Sequence, residues 1–390
     1  MPLSTRITTL TGGGSDGWEV FLKARRMIGD GVAVTELTIG EHDIRTAAPI
    51  LQEMHRSAMG GHTGYAMVPG TNALRDLVAQ RTTERTGVPT TRDNVLITPG
   101  GQSALFAAHA AACDPGDVAL YIDPYYATYP GSIRGVSAVP RSVATRADDA
   151  FQPRASDIDA AAHDATSLLI NTPNNPTGTV YARATLDGIA RVCHEHDLWL
   201  ISDEVYDSQV WEGAHLSPRA LPGMAPRTFV VGSMSKSHAM TGSRCGWLIG
   251  PEDAIAHLIT FATHTTYGVP GFIQDASVHA LSRGAGFEAE IASPFLRRRA
   301  IAQAVLGAQN TVGLIPAQGA MYLMLDIRAT GLSGEAFANA LLDAEHIAVM
   351  PGESFGAAAA GHVRVAMTIE DSAFEAALGT LCRFAEARAA

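Results

Sequence analysis

Only two lysines occur in the chain, Lys23 and Lys236, although Lys and Arg together number 28. Arginine can replace lysine on a surface, but it cannot act as an amine nucleophile near neutral pH. Lys236 closes the run Ser233-Met234-Ser235-Lys236, directly after an apolar, β-branched stretch. A lysine placed there is a candidate for a Schiff base, provided its surroundings poise the amine to react. The bland alternative is a surface ammonium. Lys23, close to Arg25 and Arg26 in a helix-like stretch, reads as that. Asp203 ends a second apolar run. A carboxylate buried there needs a cation or strong donors. A protonated ring nitrogen of a cofactor would serve, and so would a helix N-terminus or a salt bridge. Tyr206 lies three residues on, and a helical turn puts its hydroxyl on the same side. Arg244 sits between Ser243 and Cys245, and Arg364 sits inside the apolar stretch His362-Val363-Arg364-Val365-Ala366. The first could bind phosphate bidentately and the second a substrate carboxylate; a structural ion pair satisfies either equally well. Gly100-Gly101-Gln102-Ser103 opens a helix-like segment, where free backbone N–H groups and the dipole favour phosphate, although a plain tight turn has the same pattern. It is neither a GxGxxG turn nor a Walker loop, and Ser235-Lys236-Ser237 lacks the glycine that a Walker loop needs.

These residues need a scaffold that brings them together. Short apolar runs predict strands at Val95–Thr98, Val118–Tyr121, Ser167–Asn171, Trp199–Ser202, Thr228–Gly232 and Gly246–Ile249. Helical patterns lie between them, such as Ala182–His196 with Ile189, Val192 and Cys193 on one face. Strands apolar throughout and alternating with helices predict a mostly parallel sheet covered on both faces. Ligands bind such sheets at the carboxyl ends of the strands. The polar clusters at 99–103, 172–178, 203–206 and 233–237 all fall there, so four clusters point to one site. The large α/β domain is placed at residues 45–290. Residues 291–390 read as a small α+β domain, joined by 1–44: a long helix near 287–309, a strand at 322–326, a helix at 334–345, short strands and a final helix.

The 390 residues are 46% hydrophobic and 17% charged, which excludes a disordered or fibrous chain. No apolar run reaches the length of a membrane span. The polar, Gly-rich stretch Met1–Gly17 has no signal-peptide core, so a cytoplasmic protein is expected. The net charge of −11 speaks against a duplex nucleic-acid binder. Cys113, Cys193, Cys245 and Cys382 form no CxxC pair and no zinc-like cluster, and are expected to be buried free thiols.

Asn174-Asn175-Pro176-Thr177-Gly178, Asp203-Glu204-Val205-Tyr206, Ser233-Met234-Ser235-Lys236, Arg244 and Arg364, in this order and spacing, resemble the class I/II aminotransferases. These are pyridoxal 5'-phosphate (PLP) enzymes of fold type I, the aspartate aminotransferase-like, three-layer α/β architecture. The resemblance runs from about Gly40 to Arg364. It implies that Lys236 holds PLP as a Schiff base and later shuttles a proton. Asp203 pairs with the ring nitrogen, and Tyr206 and Asn175 contact the phenolic oxygen. Tyr126 stacks on the ring. Gly101, Gln102, Ser233, Ser235 and Arg244 surround the phosphate. Arg364 grips the substrate α-carboxylate, with Gly40 and Asn175 nearby. Tyr65 resembles the tyrosine that crosses a homodimer interface to the neighbour's phosphate. The stretches 197–206, 235–242, 272–276 and 326–333 look most like arginine:pyruvate transaminases. Some aspartate aminotransferases carry a distal-carboxylate lysine after the Gly-Gly pair; here that position is Gln102. His42 stands where the family usually has proline, and a structural role is expected for it. The implied reaction moves the α-amino group of an L-amino acid to a 2-oxo acid, such as pyruvate or 2-oxoglutarate, in a ping-pong cycle. The competing readings are a PLP-dependent β-lyase or decarboxylase, and a non-catalytic PLP-binding regulator, which usually carries a basic DNA-binding module. A nicotinamide oxidoreductase of similar sheet type would need a GxGxxG turn.

Overall fold

The computed structural model describes residues 1–13 and 17–389. Residues 14–16 of the polar amino-terminal stretch, and residue 390, lie outside the described residues. The centre is a seven-stranded sheet of β1 (Val95–Thr98), β2 (Val118–Asp123), β3 (Val139–Ala144), β4 (Ala165–Asn171), β5 (Trp199–Asp203), β6 (Thr228–Ser233) and β7 (Gly246–Ile249). Their order across the sheet is β1-β7-β6-β5-β4-β2-β3. Every neighbouring pair is parallel except those of β7, which runs antiparallel to both β1 and β6. β1, β6 and β7 are buried at every position, which is why their sequences are apolar throughout rather than alternating.

Six strands fall where the apolar runs predict them; β3 has no counterpart in that prediction. Its sequence, Val-Pro-Arg-Ser-Val-Ala, lies at the sheet edge and is mostly exposed or half-exposed. An edge strand needs no apolar run, tolerates Pro140, and is protected from further pairing by residues such as Arg141. β6 and β7 are joined by a short return through residues 234–245 instead of a crossover helix. That return carries Lys236 and Arg244, so the reversed strand brings both to one edge.

Helix Arg183–Glu195 buries Leu186, Ile189, Ala190, Val192 and Cys193 against the sheet, the face that its periodicity predicts. Beyond the central sheet, Met350–Pro351, His362–Ala366, Tyr322–Asp326 and Gly313–Leu314 form a four-stranded antiparallel sheet. Val20, Ala24 and Leu37 share one core with this sheet and with helices Gly334–Glu345 and Asp371–Glu386. Thr35–Glu36 also pairs with Ile347–Ala348, so the amino-terminal segment is tied to the carboxy-terminal part by both backbone and core. The long helix Gly284–Gly307 is continuous through Pro294. Among the described residues, no helix is long and apolar enough to cross a membrane. All four cysteines are free and buried.

Candidate active site

The carboxyl ends of β4, β5 and β6 and the start of helix Gly101–Ala112 meet around a cavity of about 390 Å³. Its lining includes Gly40, Gly101, Gln102, Tyr126, Asn175, Asp203, Tyr206, Ser233, Ser235, Lys236, Arg244 and Arg364. Of the residues expected at the site, only Tyr65 is absent. It lies on the surface, 91% exposed, with its ring edge-on to Tyr267 at 5.3 Å.

β4 and β5 are in register with Asn171 beside Asp203. The Asn171 Nδ2 donates to the Asp203 carbonyl at 2.9 Å, and its Oδ1 accepts the Asn175 N–H at 2.7 Å. One buried amide therefore fixes both the strand end and the turn that presents Asn175. The Asp203 carboxylate is buried. It accepts the Tyr129 hydroxyl at 2.7 Å and the Val205 N–H at 3.3 Å. Burial pushes its pKa up to about 6, and the two hydrogen bonds oppose that rise.

Lys236 sits in the one-turn helix Met234–Ser237, whose N-cap Ser233 accepts the Ser235 N–H at 3.1 Å. Its Nζ donates to the Gly40 carbonyl at 2.5 Å, so the amine points across the cavity to the amino-terminal segment. Arg244 has a left-handed backbone, φ +49, and among the described residues donates to two carbonyls, Thr241 at 2.9 Å and Pro99 at 3.5 Å. Gly100 has φ +79, and a side chain there would run into the Arg244 guanidinium. The loop therefore lets a cation lie directly over the N-terminus of a twelve-residue helix. That helix end, Arg244 and the Ser233 and Ser235 hydroxyls form a phosphate-type donor set.

Arg364 is 1% exposed and forms no ion pair with a carboxylate among the described residues. It donates to Asn175 Oδ1 at 2.9 Å and to the Thr38 carbonyl, and its Nε has no acceptor. Its guanidinium carbon lies 4.4 Å from the Tyr322 ring centre and 4.3 Å from that of Phe355. A buried cation with spare donors is suited to a small anion entering the cavity. The Tyr206 and Tyr322 hydroxyls are 3.2 Å apart. Tyr126 stands edge-on to Tyr129, 5.8 Å between ring centres. Gln102 is held by Ser132 at 2.7 Å and Thr128 at 3.0 Å. A wider cleft of about 1060 Å³ adjoins the cavity and shares Trp18 and Gln102 with it.

His42 packs edge-on to Phe295 at 5.2 Å. Burial, then the Lys236 charge, holds its pKa down to about 4, so the ring is neutral. Lys23 pairs with Asp343 at 2.6 Å, away from the cavity. Sequence reasoning missed Tyr129, Tyr322, Asn171 and Thr38. Asn171 had a usable signal, a polar residue ending an apolar strand. Tyr129 and Tyr322 carry no local signal, because each meets its partner only across the fold.

The donor set fits PLP. A buried carboxylate with no lysine or arginine ion pair among the described residues suits a protonated ring nitrogen, the helix end and Arg244 suit a phosphate, and Lys236 suits an aldehyde. The family model for aminotransferase class I and II matches residues 32–381. The chain is 38% identical over 361 residues to the arginine–pyruvate transaminase AruH of Pseudomonas aeruginosa, 92% of each chain. It is 33% identical to the aspartate/prephenate aminotransferase of Thermus thermophilus, covering 93% of each. The solved structure of Thermus thermophilus aspartate aminotransferase with maleate superposes with a TM-score of 0.92 at 31% identity, covering 98% of this chain and 100% of that one. The chain belongs to the class I and II aminotransferases, the PLP-dependent enzymes of the aspartate aminotransferase-like fold. It is a transaminase, moving an amino group from an amino acid to a 2-oxo acid.

Proposed function

We propose that the cavity binds PLP and runs a ping-pong transamination with L-arginine as amino donor and pyruvate as acceptor. The observation that carries this reading is the convergence on one cavity of the Lys236 amine, the buried Asp203 carboxylate and two arginines that have no carboxylate partner among the described residues. When bound, PLP supplies an electron sink for the pair released from the substrate Cα–H bond. Asp203 would hold the ring nitrogen in its protonated form, with the Tyr129 hydroxyl keeping the carboxylate ionised and in place. Tyr206 and Asn175 would hold the phenolic oxygen, and Tyr126 would pack against the cofactor. Gly101, Gln102, Ser233, Ser235 and Arg244 would hold the phosphate. Arg364 would take the α-carboxylate, with Gly40 and Asn175 beside it, and so fix the orientation of the substrate Cα. Lys236 would act as base and then acid, taking the proton lost from the substrate Cα and giving it back.

The 38% identity to an arginine–pyruvate transaminase supports the choice of donor and acceptor. So does Gln102, which gives a distal carboxylate no cationic partner. Residues 45–290 would form the cofactor domain, and 1–44 with 291–390 the small domain that brings Gly40 and Arg364. The working unit we propose is a cytoplasmic homodimer, with Tyr65 of each subunit reaching the neighbour's phosphate.

The test is a visible spectrum of the protein loaded with PLP. A band that L-arginine bleaches and pyruvate restores supports the whole reading. A band unmoved by arginine removes arginine as donor. Lys236→Ala is expected to lose the band; a variant that keeps it removes Lys236 as the attachment point.

A further inference from the structure

We propose that Asp123 is a positioning residue for Arg364: it secures the turn that lays Phe355 against the guanidinium, and so sets the grip on the substrate carboxylate. The proposal rests on the reading of Arg364 as the α-carboxylate ligand.

Asp123 ends β2 in the central sheet and is 4% exposed, with no ion-pair partner among the described residues. Its carboxylate faces the turn 352–359, which leads into the strand that carries Arg364. The Ala358 N–H lies 3.3 and 3.4 Å from its two oxygens. Two residues on, the Tyr125 N–H donates to the Phe355 carbonyl at 2.9 Å. Gly356, between the two contacts, has φ +116, and a side chain there would strike the Asp123 carboxylate and the Tyr125 ring. The sheet end and the turn are thus fitted to each other at closest approach.

Phe355 is fully buried, and its ring is one of the two that the Arg364 guanidinium faces. Among the described residues, Arg364 has no carboxylate to orient it, and Asn175 and the Thr38 carbonyl are its hydrogen-bond anchors. The rings therefore supply the remaining constraint on its plane. A buried carboxylate without a cation is costly, and burial pushes the Asp123 pKa up to about 6. An apolar residue would fill the space without that cost. What the carboxylate adds is an acceptor that reaches the turn from a different sheet.

The PLP-loaded enzyme is assayed with several amino donors at pH 8. Asp123→Ala is expected to raise KM about 10-fold for every donor, with kcat within about 2-fold and PLP affinity unchanged. Asp123→Asn keeps one acceptor and is expected to restore KM to within about 3-fold. Phe355→Leu leaves Asp123 in place and is expected to raise KM for all donors alike. Native KM in Phe355→Leu overturns the proposal, even if Asp123→Ala does not fold. A loss in kcat with unchanged KM in Asp123→Ala overturns it too. Native KM in Arg364→Ala removes the carboxylate-binding reading itself, which separates the two failures.

Discussion

In the role proposed for it, Asp203 costs the folded chain stability at neutral pH. Its folded-state pKa of about 6 lies above the ordinary 3.8. The folded chain therefore binds this proton more tightly than the unfolded chain does. The associated stability is full below the ordinary value and is lost as pH rises through about 6. Asp203→Asn removes the ionisation. In protein stripped of PLP, it is expected to raise unfolding free energy at pH 7.5 by up to about 3 kcal/mol. Denaturant titrations should show that gain shrinking as pH falls towards 5. The same variant is expected to lose at least about 100-fold in kcat, because a neutral amide cannot hold the ring nitrogen protonated. A gain independent of pH would show that packing, not ionisation, sets the cost. Lys236, Asp203, Arg244 and Arg364 were legible in the sequence because each is chemically out of place: a rare lysine, and charges in or beside apolar strands. Tyr129 and Tyr322 were not, because a tyrosine is at home in any core and its hydroxyl finds a partner only in three dimensions.

At the scale of elements, the phosphate-type site depends on how β1 hands over to the helix Gly101–Ala112. Gly100 combines a positive φ with the Arg244 guanidinium lying where a side chain would project. Gly100→Ala is expected to destabilise the protein by about 1–2 kcal/mol and to displace Arg244. Titration of the apoprotein with PLP should show affinity falling by about 10-fold or more. Unchanged affinity would mean that Arg244 does not contribute to holding the phosphate. The strands that carry the site were readable because they are buried on both faces and hence continuously apolar. β3 escaped because an edge strand is under no such demand. The reversal of β7 also left no mark in the residues, since a buried strand has the same composition in either direction.

For the whole molecule, the proposed homodimer makes Tyr65 a test of assembly. Tyr65 is far more exposed than a tyrosine usually is, and it lies outside the cavity of its own chain. If it serves a neighbour, the particle in solution has twice the 41.0 kDa of one chain, as light scattering would read. Tyr65→Ala is then expected to weaken PLP binding about 10-fold without lowering the melting temperature of the apoprotein. Mixed dimers of Tyr65→Ala and Lys236→Ala chains should contain one site with both native residues, and so be active at that site with native PLP affinity, which the Tyr65→Ala parent lacks. A monomer with full activity would remove the role of Tyr65.

The sequence by itself determined the chemistry: an amine at 236, a carboxylate at 203 and two arginines, spaced on strands whose continuous apolarity implies a covered parallel sheet. Residue type and burial are local properties, so they leave a local trace. Only the tertiary structure decided which partners those groups meet. Tyr129 reaches Asp203 from 74 residues away, Asn175 meets Arg364 across 189, and the Lys236 amine meets the Gly40 carbonyl across 196. Contacts at such separations are set by how sheets and helices pack around a shared core, and no short stretch of chain contains that information.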